Sequence, residues 1–142
     1  RILWAKEAGL RLKVNTVVNA LNRREDIVDF IVETAPVRWK LLQVTSVKGQ
    51  NDEGFSGMEI NREQFQAFVS RHERVRALGI VMVPEPVEAI RGSYVMVSPD
   101  GRFFDSAQGV HHYSVPILKV GLREAFAQVA FDAAKFRERG GD

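Results

Sequence analysis

From residue 10 onward, apolar and β-branched side chains come in short bursts separated by polar turns, and the period of each burst predicts an element. LRLKVNTVVN (10–19) is dense in Val and Thr and predicts a strand with both faces covered, as in a parallel sheet. NRREDIVDFIVETAP (22–36) sets Ile27, Phe30 and Ile31 at helical spacing and stops at Pro36, so a helix follows. VRWKLLQVT (37–45) predicts a second strand. Strand, helix and strand with short joints make a βαβ crossover, parallel in nearly all cases. The fold class is therefore α/β. Ahead of it, residues 1–8 with Gly9 behind them read as the last turns of a helix, Gly9 supplying the left-handed residue that helix C-termini use.

The next stretch, SVKGQNDEGFSGMEI (46–60), is polar and glycine-rich. It predicts a long, mobile loop at the carboxyl end of the second strand, the edge where sheets and barrels take ligands. NREQFQAFVSRHE (61–73) opens with Asn61 and Gln64 at capping-box spacing before Phe65, Phe68 and Val69. After residue 75 the character changes. GIVMVPEP (79–86) reads as a short strand, and SYVMVSPDGRFFDS (93–106) as a hairpin turning at Pro99 and Gly101. VGLREAFAQVAFDAAKFRERGG (120–141) closes the chain with two short helices, the second capped by Asp132. The organisation expected is two β/α units over residues 1–75 and an α+β extension with a hairpin over 76–142.

Composition narrows the class. With 142 residues, 45% of them apolar, the chain can bury an ordinary core; 27% charged residues and the lack of a long apolar run argue against disorder and against a membrane-spanning helix. The net charge of +2 is too small to imply nucleic acid, despite a pI near 9.2. With no cysteine there is no disulfide, thiolate nucleophile or sulfur-ligated metal. Nothing near Arg1 resembles a signal peptide, so a cytoplasmic location is expected, and the opening reads as a chain that begins mid-fold.

The charges inside the strands carry the candidate chemistry. Alternate strand residues share a face, so Lys13, Asn15, Val17 and Asn19 point one way on the first strand, and Arg38, Lys40 and Leu42 do so on the second. Together they could line a shallow basin. Burying such cations without an anion is costly, which favours a multiply charged anion: the guanidinium fork matches phosphate oxygens and the lysines act as point charges. The competing reading has these cations solvated or paired with Glu25, Asp26 or Asp29, and Asn15 and Asn19 satisfying loop backbone. Trp39, of opposite parity, is assigned to the core. His111 and His112 are adjacent and poorly placed to chelate a metal, so a surface loop is expected there. His72 would sit as a cation at a helix C-terminus. Asp52 and Glu53 read as solvated.

LKVNTVVN, APVRWKLLQV and the terminal KFRERGG together resemble the viperin-like branch of the radical S-adenosylmethionine enzymes, and SYVMV and VGLREAF align in order. The resemblance covers nearly the whole chain. It implies the C-terminal part of a partial (β/α)6 barrel plus a C-terminal extension covering the active site. The CxxxCxxC motif that holds a [4Fe–4S] cluster would belong to a missing N-terminal half, in keeping with the lack of cysteine. The implied activity is a lyase reaction of antiviral defence. Cleavage of S-adenosylmethionine yields a radical that abstracts a ribose hydrogen from CTP, UTP or GTP, and loss of water gives a 3′-deoxy-3′,4′-didehydro nucleoside triphosphate. By the same resemblance Lys13, Asn15, Arg38 and Lys40 match triphosphate-binding positions and Asn19 a cofactor-binding one. Asp100 falls where a family tyrosine approaches the sugar. The partners implied are the nucleotide, the rest of the barrel and a reductant protein for the cluster; neither DNA nor a membrane segment is expected. This chain alone would be inactive.

Two other readings remain open. One is a different radical S-adenosylmethionine enzyme with an anionic substrate. The other is a freestanding anion- or nucleic-acid-binding module, for which Arg102, Phe103 and Phe104 form the only basic–aromatic cluster.

Overall fold

The computed structural model describes residues 2–140; Arg1, Asp142 and Gly141, the second glycine of the terminal motif, lie outside the described residues. In chain order the elements are α1 (Ile2–Glu7), β1 (Lys13–Val18), α2 (Val28–Thr34), β2 (Arg38–Gln43), α3 (Asp52–Phe55) and α4 (Arg62–His72). A 3-10 turn (Glu73–Leu78) leads to β3 (Val81–Glu85), α5 (Val87–Ile90), β4 (Met96–Val97), β5 (Phe103–Asp105) and β6 (His112–Tyr113). The helices α6 (Ile117–Val120), α7 (Leu122–Phe126) and α8 (Ala133–Glu138) follow. The class is mixed α/β, with one parallel and one antiparallel sheet of three strands each and no closed barrel among the described residues.

The chain divides into two compact units and passes between them repeatedly. Residues 1–44 and 57–86 form the first, and residues 45–56 and 87–142 the second. The reason is β3. It pairs in parallel with β2 and completes the sheet β1-β2-β3, so the first unit takes in residues on both sides of the 45–56 segment.

In the first unit β1 and β2 run parallel, with Lys13 beside Arg38 and Asn15 beside Lys40. Along β1 one face is covered, not both: exposure alternates down to buried Val18. Val18, Trp39, Leu41 and Met82 on that face pack with Ile31 of α2 and with Phe65, Phe68 and Val69 of α4. Trp39 is fully buried, as its parity required, and its indole N–H donates to Thr16 Oγ1 at 2.9 Å. The capping box of α4 is present: Asn61 Oδ1 accepts the Gln64 N–H, and Gln64 Oε1 accepts the Asn61 N–H. Helix α2 differs from expectation. Its inward stripe is Val28, Ile31 and Thr34, three residues apart, which turns Phe30 outward to 48% exposure. Ala35, left-handed at φ 45°, donates its N–H to the Ile31 carbonyl and ends the helix before Pro36.

His72 also departs from expectation. It is wholly buried between the rings of Phe68 and Trp39, not a cation on the surface. Its Nε2 accepts the Ile27 N–H at 3.1 Å, which leaves Nδ1 to donate to the Phe68 carbonyl at 2.7 Å. The neutral ring thus ties the start of α2 to the end of α4, and burial holds its pKa below the ordinary value of 6.5.

The second unit holds the hairpin. β4 and β5 pair antiparallel, Gly101 (φ 72°) donates its N–H to the Ser98 carbonyl, and β6 adds a third strand. His112 therefore belongs to a strand rather than to a loop. Asp132 caps α8, accepting the N–H groups of Ala134 and Lys135. Polar ties hold much of this unit: buried Asp105 accepts from Ala107 and Ala130, and buried Arg139 donates to Ser93 and stacks 3.8 Å over Tyr94. Among the described residues no helix is long and apolar enough to cross a membrane.

His72 gives the fold a pH dependence. The unfolded chain binds this proton more readily than the folded one, so stability is full above pH 6.5 and falls below it, by at most about 1.4 kcal/mol per pH unit. Urea unfolding of wild type and His72→Gln at pH 8, 6.5 and 5 should show a stability gap that is constant at the higher pH and shrinks at the lower. A gap independent of pH would mean that the ring is not held neutral.

Candidate functional site

The face of the parallel sheet opposite the core carries the charges. Register places Lys13 against Arg38 and Asn15 against Lys40, on strands roughly 4.8 Å apart. Lys13 and Asn15 are exposed, and Arg38 and Lys40 half-buried. The structure thus brings together the four residues that strand parity had grouped. Each is set there by its position on a strand whose alternate neighbours are committed to the core.

β3 adds a residue that the sequence reading missed. Glu85 lies on this same face, is wholly buried, and places Oε1 2.8 Å from Lys40 Nζ. The charge of Lys40 is therefore met within the chain, and the cost of burying it does not by itself demand an external anion. A signal was available: an acid ending an otherwise apolar strand is as anomalous in GIVMVPEP as Arg38 and Lys40 are in VRWKLLQV. Asp26, one of the acids considered as a partner for the cluster, binds Arg74 at 2.6 Å, and its carboxyl is held below the ordinary range first by the Val28 N–H and then by Arg74.

Asn19 lies one residue beyond β1. Its Oδ1 accepts the Leu21 N–H, while its own N–H donates to Asn22 Oδ1, so its side chain braces the turn that follows the strand. In the second unit Asp100 sits in the hairpin turn, its carboxylate accepting from Ser98 Oγ and from Arg102 Nε, the latter at 2.7 Å. These bonds, that of Ser98 foremost, hold its pKa below the ordinary carboxylate value and keep it an acceptor. With Pro99 and Tyr113 these three residues line a shallow cleft.

The loop at 46–56 is braced rather than loose. Asn51 accepts the Val47 N–H and donates to the Thr45 carbonyl, Asp52 accepts the Gly49 N–H, and Lys48 makes a β-bridge to Val110. Asp52 and Glu53 are exposed. Phe103 packs edge-on against Phe126 and Phe104 stacks on Tyr113, so the basic–aromatic cluster is hairpin packing. His112 lies 3.5 Å from Asp105, and among the described residues no group of three or more His, Cys, Asp or Glu could hold a metal ion.

No protein-family model matches the chain. Individual proteins do. It is 47% identical over 133 residues to an S-adenosylmethionine-dependent nucleotide dehydratase of Lacinutrix mariniflava, covering 94% of this chain and 27% of that protein. It is 40% identical to one of Flammeovirga pacifica (95% of this chain, 45% of that protein). It is 36% identical to the S-adenosylmethionine-dependent nucleotide dehydratase RSAD2 of Danio rerio (97% and 39%). The chain is a homologue of the S-adenosylmethionine-dependent nucleotide dehydratases. This agrees with the viperin-like motifs in its two strands and C-terminal segment. The chain spans between 27% and 45% of the length of these three dehydratases.

The Asp100 geometry can be tested directly. Carbon-detected NMR titration should find this carboxyl titrating below the ordinary Asp value of 3.8, with Ser98→Ala and Arg102→Ala each raising it. An unshifted titration in wild type would contradict the turn described here.

Proposed function

We propose that this chain supplies the triphosphate-binding face of an S-adenosylmethionine-dependent nucleotide dehydratase. On this reading the enzyme is a radical lyase that converts CTP, UTP or GTP into a 3′-deoxy-3′,4′-didehydro chain terminator for antiviral defence. The observation that carries the proposal is the in-register pairing of Lys13 with Arg38 and of Asn15 with Lys40 on a face left open by the helices. Three cations and an amide on two neighbouring strands suit a phosphate chain: Arg38 offers a planar fork, and Lys13 and Lys40 offer point charges. The names of the homologues support the nucleotide and S-adenosylmethionine.

In this proposal β1 and β2 belong to a partial (β/α)6 barrel, with residues 1–75 as its last two β/α units and residues 76–142 as an extension covering the active site. Asn19 would meet S-adenosylmethionine through its amide NH2, its oxygen being engaged by Leu21. Asp100, held ionised, would face the sugar as a hydrogen-bond or proton acceptor. That differs from a tyrosine, which can donate. A [4Fe–4S] cluster does not fit the residues present, because the chain has no thiolate to hold it. Its ligands, and the docking surface for a reductant protein, would come from other residues, and no step is derived through it. A nucleotide substrate and a reductant protein would place the reaction in the cytoplasm.

Calorimetric titration with CTP, UTP, GTP and the corresponding nucleosides, at low and high salt, tests the proposal. Triphosphate should bind far better than nucleoside, and the difference should shrink at high salt. Arg38→Ala or Lys13→Ala should each cost about 1.5–3 kcal/mol, or about ten- to a hundredfold in affinity. Arg38→Lys should recover little of this, because an ammonium cannot replace the fork. Equal affinity of wild type and variants would overturn the assignment.

A further inference from the structure

Glu85 is wholly buried on the charged face, and the triphosphate reading gives it no role. Its position suggests one. β3 pairs Val83 with Lys40 and Glu85 with Leu42, so the carboxylate sits two residues further along the sheet than the lysine it binds. The 2.8 Å contact between Lys40 Nζ and Glu85 Oε1 spans that offset and ties the ammonium to a residue nearer the carboxyl end of the strands. That is the edge where open α/β sheets take ligands. A lysine side chain has four rotatable bonds and no intrinsic direction. This one is directed by a group that solvent does not screen.

Resting on the reading of this face as a triphosphate basin, we propose that Glu85 is a positioning residue that aims Lys40 at the carboxyl edge of the sheet for contact with a phosphate group. Two effects of Glu85 on a bound phosphate oppose each other. It fixes the ammonium, which favours binding, and its own charge repels the phosphate. With Lys40 in place the carboxylate directs its charge at the ammonium at contact distance, while a phosphate on the far side of the ammonium is more distant. Positioning then outweighs repulsion. With Lys40 removed, the carboxylate loses that counter-charge and has no ammonium to position, so its repulsion of the phosphate outweighs any benefit. The sign of its effect should therefore invert with the residue at position 40.

The test titrates CTP, inorganic triphosphate and cytidine into the full chain carrying Glu85→Gln, Lys40→Ala or both, with thermal melts to confirm folding. Glu85→Gln keeps the side-chain shape and removes the charge. In the wild-type background it should weaken triphosphate binding about tenfold and leave cytidine unchanged. In the Lys40→Ala background the same change should strengthen triphosphate binding severalfold. Weakening in both backgrounds would make Glu85 merely structural, and strengthening or no change in both would make it a bystander charge; either result overturns the proposal. Glu85→Asp, which keeps the charge but shortens its reach, provides a second variant and should show a partial loss in the wild-type background. No loss there would also overturn the proposal. If wild type itself does not prefer triphosphate to nucleoside, the basin reading fails and the proposal falls with it. If the preference holds and depends on Arg38 but the inversion is absent, only the role of Glu85 fails.

Discussion

The first unit depends on the pleat of three strands held in parallel register. Because successive side chains must point to opposite faces, a single choice of register sends Val18, Trp39, Leu41 and Met82 into the core and Lys13, Asn15, Arg38, Lys40 and Glu85 to the other side. A slip by one residue would bury the charges and expose the tryptophan. Burial of Trp39 and its neighbours therefore sets the alignment of the cations as firmly as any contact the cations make themselves. Apolar packing contributes more to stability than the ion pairs do, and the charged face is assembled as its consequence.

The two units are held by different means. Among the described residues the first buries twelve apolar side chains in one cluster. In the second, only Ala125 and Val129 are buried apolar residues among those described, and buried Ser93, Asp105, Ser114 and Arg139 take up the interior with hydrogen bonds. Such a network tolerates little change, since removing one member leaves a buried polar group unsatisfied. Asp105 accepts from the backbone N–H groups of Ala107 and of Ala130, the second of these 25 residues away in sequence, and thereby fixes a loop to a strand.

What could be read from the sequence was what depends on local period. Alternation placed Lys13 with Asn15 and Arg38 with Lys40, the capping box placed the start of α4, and Pro99 and Gly101 placed the hairpin turn. What could not be read depended on partners distant in sequence. GIVMVPEP has the composition of a strand, but its membership of the first sheet is decided by pairing with β2, and Glu85 was missed for that reason. His72 falls at the helix end that was expected, yet it is packed against Trp39 of β2 and accepts the N–H of Ile27, 45 residues away. Phe30 shows the limit of periodicity itself: Ile27, Phe30 and Ile31 fit one helical face, but the packed stripe runs through Val28 instead. Asn19 retains its place at the end of β1, where a brace for the turn and a ligand contact are both available to an amide.

The interleaving of the two units bears on how the chain is made. Residues 45–56 belong to the second unit but are synthesised before β3, which the first unit needs to complete its sheet. A ribosome delivering the chain from its N-terminus therefore presents β1 and β2 first, with the Met82 portion of the core and the Glu85 carboxylate still to come. The sheet can close only when a strand well downstream of β2 emerges, a non-local pairing of the kind that slows folding. The second unit's first segment waits longer still, for Val110, to which it bridges through Lys48. Translation pace through residues 45–86 is thus a natural control point for how much of the chain reaches its native state.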